Sequence, residues 1–360
     1  MVKVSHLRTS PFGDFTSMPD FRFDPISARW VAIASNRASR PMEFISSQEK
    51  RSPDVVCPFC KGHEHETPTQ LEVWNKEGRQ IAHAEPDVDW STRVVPNKFP
   101  AFPSDAPINP FDTNVLSDLH EEFGPYDQNR SSGAQELIIP TPRHVSSFGD
   151  LKKSEAVISM AAARVRFAEM KKKPGIRHAM LFMNCRSAAG ASLSHAHLQL
   201  IGSPVLSQEM KDRLRRNQQH LEKHKQTVMQ SVITWEKSKK VRVIAETENF
   251  CVVCPFASRV AFQIWLIPKK SHQDFASIDR QMRDDLALLI RKVLRRLDKM
   301  LDDPPYNLML HTAPFGNSAR DHWYFEIMPR LTCPAGLEWG TGIWINPVSP
   351  EDAAKRLRGE

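Results

Sequence analysis

Apolar and polar positions along the chain fall into one pattern that occurs twice. In the first half, the apolar run Glu136-Leu137-Ile138-Ile139 leads into Pro140-Thr141-Pro142-Arg143-His144 and then Phe148. In the second half, Phe262-Gln263-Ile264-Trp265-Leu266-Ile267 leads into Pro268-Lys269-Lys270-Ser271-His272 and then Phe275. Each run is followed by apolar residues three or four positions apart, which predicts an amphipathic helix. These are Val157, Ala161, Val165 and Ala168 in one copy, and Met282, Leu286, Leu289, Val293 and Leu297 in the other. A second apolar strand follows in each, Met180-Leu181-Phe182-Met183 up to Asn184, and Asn307-Leu308-Met309-Leu310 up to His311. After the same gap (195 − 184 = 322 − 311 = 11) come His195-Ala196-His197-Leu198-Gln199-Leu200 and His322-Trp323-Tyr324-Phe325-Glu326-Ile327. The separation of the leading histidines agrees as well, 195 − 144 = 51 against 322 − 272 = 50. The pattern predicts an α+β fold made of two tandem copies of one unit, antiparallel sheets with packed helices.

Between the copies, Leu206, Met210, Leu214 and Leu221 predict one amphipathic helix with a solvated basic face. Residues 206–245 hold ten basic and four acidic side chains, so 10 − 4 = +6 of the chain's net +7 lies here. The division expected is therefore 1–205, a basic helical connection 206–245, and 246–360. The local charge keeps a nucleic-acid-binding protein open as a competing class, although such a binder has no need of the histidines described next. No apolar run reaches the roughly 18 residues of a membrane span, and Met1-Val2-Lys3-Val4-Ser5-His6 leads into no apolar signal core. A cytoplasmic protein with no membrane partner is expected. With 40% hydrophobic residues the chain can bury a core.

His195, His197 and Gln199 alternate with Ala196, Leu198 and Leu200, so the three polar side chains share one face of a half-buried strand. Ahead of them, Ala188-Ala189-Gly190-Ala191-Ser192 is a small-residue loop whose amides can approach a ligand oxygen. A neutral imidazole beside such a loop suits nucleophilic attack at phosphorus. Core histidines held by hydrogen bonds are the bland alternative.

Six cysteines are too few for a disulfide scaffold. Cys57-Pro58-Phe59-Cys60 is a knuckle that needs two further ligands, for which His144 and His195 are candidates. Metal on His195 would hold His197 in place without touching substrate. Cys251 and Cys254 lie on opposite faces of an apolar strand and read as core, and Cys185 and Cys333 carry no assigned role. Arg37 and Arg40, just past the strand Trp30-Val31-Ala32-Ile33-Ala34, could grip a diphosphate, and taken alone read equally as surface charges. Pro96-Asn97-Lys98-Phe99-Pro100 is a rigid loop in which Phe99 could either stack on a base or fold into the core.

Cys57-Pro58-Phe59-Cys60, Asn184 through Gly190-Ala191-Ser192, and His195-Ala196-His197-Leu198-Gln199 together resemble the galactose-1-phosphate uridylyltransferase family of the histidine-triad superfamily. Gln199 stands where hydrolases of that superfamily carry a third histidine, which implies transfer in place of hydrolysis. The resemblance implies two histidine-triad-like units, the first catalytic and the second contributing to a sugar-phosphate site. It implies that His197 takes a nucleotide from UDP-glucose and passes it to galactose 1-phosphate, with Gln199 on the phosphoryl oxygens. It implies substrate contacts from Arg37, Arg40, Asn97, Phe99, Asn184 and Ser192, and one structural zinc on Cys57, Cys60, His144 and His195. A homodimer is implied, and no nucleic-acid partner. Tyr324 and Glu326 stand where some members carry second-metal histidines, so that metal is not expected. The segment Gly336-Leu337-Glu338-Trp339-Gly340-Thr341-Gly342 aligns with the hexose-phosphate site, placing Gly340, Thr341 and Gly342 there. It lacks the Tyr-Glu pair of the uridylyltransferases and resembles the ADP-glucose phosphorylase branch, in which inorganic phosphate is the acceptor.

Overall fold

A computed structural model describes residues 19–39, 56–81, 89–104, 131–271, 274–317 and 320–360. His272 and Arg40 lie outside the described residues. The chain runs β1 (Asp20–Phe23), β2 (Trp30–Ile33), β3 (Glu72–Asn75), β4 (Gln80–Ile81), β5 (Trp90–Pro96), β6 (Ala134–Ile139), α1 (Lys153–Lys172), β7 (His178–Cys185) and β8 (Leu198–Ser203). It continues α2 (Gln208–His224), α3 (Val228–Lys239), β9 (Val243–Glu246), β10 (Phe250–Val253), β11 (Ile264–Pro268), α4 (Arg280–Leu301), β12 (Tyr306–His311), β13 (Tyr324–Pro329), α5 (Gly336–Thr341), β14 (Trp344–Asn346) and α6 (Pro350–Arg358).

Among the described residues the sheets of the two copies run on into each other. Eleven antiparallel strands follow the order β4-β3-β5-β6-β8-β7-β12-β13-β11-β10-β9, and the copies meet at β7 and β12. The registers show the duplication residue by residue. With the offset 322 − 195 = 127, the pair Phe182↔Gln199 maps onto Met309↔Glu326, itself a pair. Across the seam Phe182 pairs with Met309, its own counterpart, so a local two-fold axis passes between these two residues. Each copy otherwise ends in an open edge strand at this point; joining the edges satisfies their backbone groups.

α1 and α4 cover one face and pack on each other over the main core. Asp279 starts α4 by accepting a hydrogen bond from the Met282 amide, and Asp302 ends it in the left-handed conformation. Met282, Leu286, Leu289, Val293 and Leu297 are all buried, as their spacing predicts. Full burial of such a side chain is worth about 1.5–3 kcal/mol. In α1 the fully buried line runs through Met160, Ala163, Phe167 and Met170, while Val157, Val165 and Ala168 are only half-buried. The helix is wedged between sheet and α4, so more than one stripe is apolar.

The segment 206–245 forms two helices, not one. α2 ends at Lys225 in the left-handed conformation and Thr227 caps α3 with Gln230 in a reciprocal box. Val228, Met229 and Ile233 of α3 pack with Cys251, Val253 and Trp265 on the face opposite α4. Its final residues enter β9. The expected solvated basic face is also partly internal. Arg213 binds the Thr312 carbonyl, Arg216 donates to the Ile26 carbonyl, and Arg242 pairs with Glu236 and Glu351.

A second, three-stranded sheet joins the chain's two ends, with β2 antiparallel to β1 and parallel to β14. Residues 20–33 therefore lie against the C-terminal copy, where Arg22 also pairs with Glu351. Among the described residues no helix is long and apolar enough to cross a membrane.

Candidate active site and metal centre

Cys57, Cys60, His144 and His195 come together with all their ligand atoms within 4.8 Å of one another. The contacts Cys57 Sγ to His195 Nδ1, Cys60 Sγ to His144 Nδ1 and Cys60 Sγ to His195 Nδ1 measure 3.5, 3.3 and 3.6 Å. In a tetrahedral site with metal–sulfur and metal–nitrogen bonds of about 2.3 and 2.0 Å, each such edge is about 3.5 Å. The residues fit a metal ion. Proton positions agree, because His195 Nε2 must donate to the Thr141 carbonyl at 3.0 Å, which leaves the Nδ1 lone pair for the metal. His144 Nε2 meets Ser194 Oγ at 3.0 Å, while its Nδ1 faces Cys60 Sγ. Cys57 and Cys60 are held by the knuckle bond from the Cys60 amide to the Cys57 carbonyl.

The ladder of β8 begins only at Leu198, yet the alternation foreseen holds ahead of it. Ala196, Leu198 and Leu200 enter the core under α1 and α4, and His195, His197 and Gln199 project from the opposite face. His197 is buried, with the Phe59 ring 5.3 Å away, edge to face. Its Nδ1 donates to the His195 carbonyl at 2.8 Å. A carbonyl only accepts, so Nδ1 carries the proton and the lone pair sits on Nε2. Burial lowers the pKa of His197 below the usual histidine range, although the His195 hydrogen bond opposes this, and the ring stays neutral at neutral pH.

Gln199 is oriented by a residue that sequence reasoning passed over. Gln135 Oε1 accepts from the Ala101 amide at 3.0 Å, so its Nε2 is the end that donates to Gln199 Oε1 at 3.3 Å. The Gln199 NH2 group is thereby turned outward as a donor. Cross-strand position was the available signal, since Gln135 on β6 lies next to Gln199 on β8. Asn97 belongs to the same corner: its amide donates to the Gln135 carbonyl and its side chain accepts from Phe99 N, leaving the Phe99 ring 83% exposed. Asn184, one residue before the end of β7, donates to the Gly190 carbonyl, and Ser192 is exposed beyond it.

The remaining candidates sit elsewhere in the fold. Arg37 is exposed in a 3-10 turn, Ser35–Ser39, that leaves β2 of the small sheet. The Gly-rich segment forms the short helix α5, with Gly340 and Thr341 in its last turn and Gly342 capping it at φ 71°. Both groups are carried by the sheet of β1, β2 and β14, not by the strand of His197. Cys251 and Cys254 face different cores, as expected.

The chain is similar over nearly its whole length to known proteins. ADP-glucose phosphorylase of Arabidopsis thaliana is 31% identical over 99% of both chains. The chain belongs to the galactose-1-phosphate uridylyltransferase family. The family description "Galactose-1-phosphate uridyl transferase, C-terminal domain" matches residues 211–331. A galactose-1-phosphate uridylyltransferase of this family from Thermotoga maritima is 24% identical over 95% of this chain and 98% of its own. A crystal structure of the Arabidopsis ADP-glucose phosphorylase with bound ADP-glucose superposes with a TM-score of 0.76, at 29% identity over 95% of this chain and 99% of that one. A solved uridylyltransferase at 20% identity, covering 95% and 98% of the two chains with a TM-score of 0.69, shares the fold. As a member, the chain is a nucleotidyl-transferring enzyme.

Proposed function

We propose that the enzyme moves a nucleoside monophosphate from a nucleotide sugar to a phosphorylated acceptor by double displacement through His197. One observation carries this: the buried, neutral His197 donates Nδ1–H to a fixed carbonyl and presents the Nε2 lone pair beside the outward NH2 group of Gln199. Nε2 forms a bond to the α-phosphorus, and the phosphorus–oxygen bond to hexose 1-phosphate breaks with its electrons on the departing phosphate. The acceptor's phosphate oxygen then displaces Nε2 and restores the neutral ring. Gln199, Asn184 and Ser192 donate to the phosphoryl oxygens, which carry most of the charge in the transition state. Asn97 and Phe99 serve the base; Arg37 and Arg40 the diphosphate; Gly340, Thr341 and Gly342 the sugar phosphate.

The substrate pair of the first reading is UDP-glucose and galactose 1-phosphate, in keeping with most relatives. A second pair, ADP-glucose and inorganic phosphate, is favoured by the 31% identity over 99% of the chain to an ADP-glucose phosphorylase. Two thiolates and two imidazoles suit zinc, held by Cys57, Cys60, His144 and His195. Zinc there would supply no substrate chemistry; it would anchor His195, whose carbonyl sets the His197 tautomer. The division into units 1–205, 206–245 and 246–360, a homodimer and a cytoplasmic location complete the proposal.

Intact mass after mixing with UDP-glucose or ADP-glucose alone tests it. A gain of one UMP or one AMP, absent in His197→Gly, is expected and names the base. Discharge by galactose 1-phosphate or by phosphate names the acceptor. No adduct from either sugar nucleotide, in protein that still binds nucleotide, would refute covalent transfer.

A further inference from the structure

We propose that Asn307, which belongs to the copy without a nucleophile, is a positioning residue for the phosphate-facing loop 186–190; this rests on the transfer reading above. Asn307 Nδ2 donates to the Ala189 carbonyl and to Asn184 Oδ1, both at 2.8 Å. The Ala189 carbonyl only accepts, so it fixes which end of the Asn307 amide faces the loop. Asn184 must then meet it with its oxygen, and its NH2 group points to the other side. There one hydrogen goes to the Gly190 carbonyl at 3.4 Å, and the other is left for a phosphate oxygen.

The loop needs such a hold. It enters through Arg186 at φ 71° and ψ 159°, a region that a non-glycine residue keeps only where its surroundings impose it. Gly190 leaves it at φ 88°. Arg186 also forms an ion pair with Asp303, another residue of the second copy, but Asp303 is half exposed and a pair of that kind contributes little. Asn307 is the stronger tether because the register places it directly opposite Asn184 in the β7–β12 pair.

The two-fold axis between Phe182 and Met309 supplies the control. The counterpart of Asn307 is Met180 (307 − 127 = 180), half-buried on the equivalent strand position. Fold symmetry is served equally by either side chain. An asparagine occurs only where the strand runs beside the loop that precedes His197, so its polarity answers to the loop and not to the sheet.

The test is a single-turnover measurement of adduct formation from the sugar nucleotide, with amide exchange of peptide 186–192 read separately without ligand. Asn307→Asp keeps the shape and removes both donors, and Asn307→Ala removes the side chain. Each is expected to slow adduct formation about 10–100-fold, and to speed loop exchange about ten-fold. Metal content and melting temperature stay near wild type. In an Asn184→Ala background, Asn307→Ala is expected to cost no more than about three-fold, since the two act on one loop. Met180→Leu leaves rate and exchange unchanged. Unchanged loop exchange in both Asn307 variants, or rate losses that multiply fully in the double variant, would overturn the proposal. A wild-type chain that forms no adduct would refute the transfer reading alone, and the exchange measurement would still decide for or against Asn307.

Discussion

His195, His197 and Gln199 correspond to His322, Tyr324 and Glu326, and the two triplets sit on strands of identical register. Each leading histidine hooks Nε2 onto a carbonyl at the end of the preceding β-run, Thr141 in one copy and Pro268 in the other. Beyond that they diverge. His195 turns Nδ1 to two thiols, whereas His322 turns it to Thr227 Oγ1 of the α3 cap. Glu326 accepts hydrogen bonds from Arg259, Gln263, Trp265 and His311 and is 1% exposed. Burial alone would raise its carboxyl, but Arg259 and the His311 and Trp265 hydrogen bonds overcome this and hold it below the usual carboxylate range. Burial pushes the Tyr324 phenol up, away from any role as a nucleophile. A cavity of ≈ 480 Å³ is lined from both copies, by His178, Met180 and Ile201 of the first and by Met309, His311 and Glu326 of the second. In the first copy His197 Nε2 and the Gln199 NH2 group have no protein partner among the described residues. One scaffold thus yields a strand where the His197 lone pair and the Gln199 NH2 group remain unanswered, and a strand where the Glu326 carboxylate is fully engaged.

The largest effect that can break this comparison is at its centre. His197→Gly is expected to lower the transfer rate about 10⁴-fold or more, while Tyr324→Phe stays within about two-fold. A ten-fold loss at Tyr324 would give the second copy a chemical part. Next comes the pair of Cys-x-x-Cys segments. Cys57→Ser should strip the metal, read by metal analysis, and lower the melting temperature by roughly 5 °C or more through loss of the centre. Cys251→Ser should leave metal content unchanged; loss of metal there would reassign the ligands.

Glu326→Gln leaves Arg259 buried without its counter-charge and should lower stability by about 3–5 kcal/mol in urea unfolding. Because the folded carboxyl titrates below its unfolded value, this contribution is present above about pH 4.3 and lost as pH falls further. The transfer rate per folded molecule should not change, and a fall would mean that Glu326 serves catalysis. The smallest effect is at the seam, where burial, with Asp150 nearby, pushes the Asp298 carboxyl up to about 6. A raised carboxyl favours folding below about pH 4 and loses that as pH rises through 6. Asp298 Oδ1 is buried without a partner. Asp298→Asn should therefore melt roughly 1–3 °C higher at pH 8, with the difference gone by pH 4. The same gain at both pH values would exclude titration as its origin.

Much of this was legible in residue spacing. The two-copy plan, the α4 face and the faces of Cys251 and Cys254 follow from periods of 3.6 and 2, and the chemistry of Cys and His marked Cys57, Cys60, His144 and His195 as candidate ligands. The break at Lys225 was missed because Leu206 to Leu221 keeps one helical period up to it, and Thr227 with Gln230 restarts the helix by a capping box. Arg213 and Arg242 looked solvated because their partners Thr312 and Glu351 lie 99 and 109 residues away. Gln135 and Asn307 carried no local motif; each acts through a neighbouring strand.

By itself the sequence determined which residues could carry chemistry and that the chain uses one unit twice, because side-chain type and short-range periodicity are local properties. Only the tertiary structure decided that the sheets of the two copies join at β7 and β12, that residues 20–33 return to the C-terminal copy, and that Gln199 and Asn184 present their NH2 groups outward. Those outcomes depend on strand register and on hydrogen-bond partners brought in from far along the chain. An amide's direction is set by what it meets across the ladder, and no spacing along the chain records it.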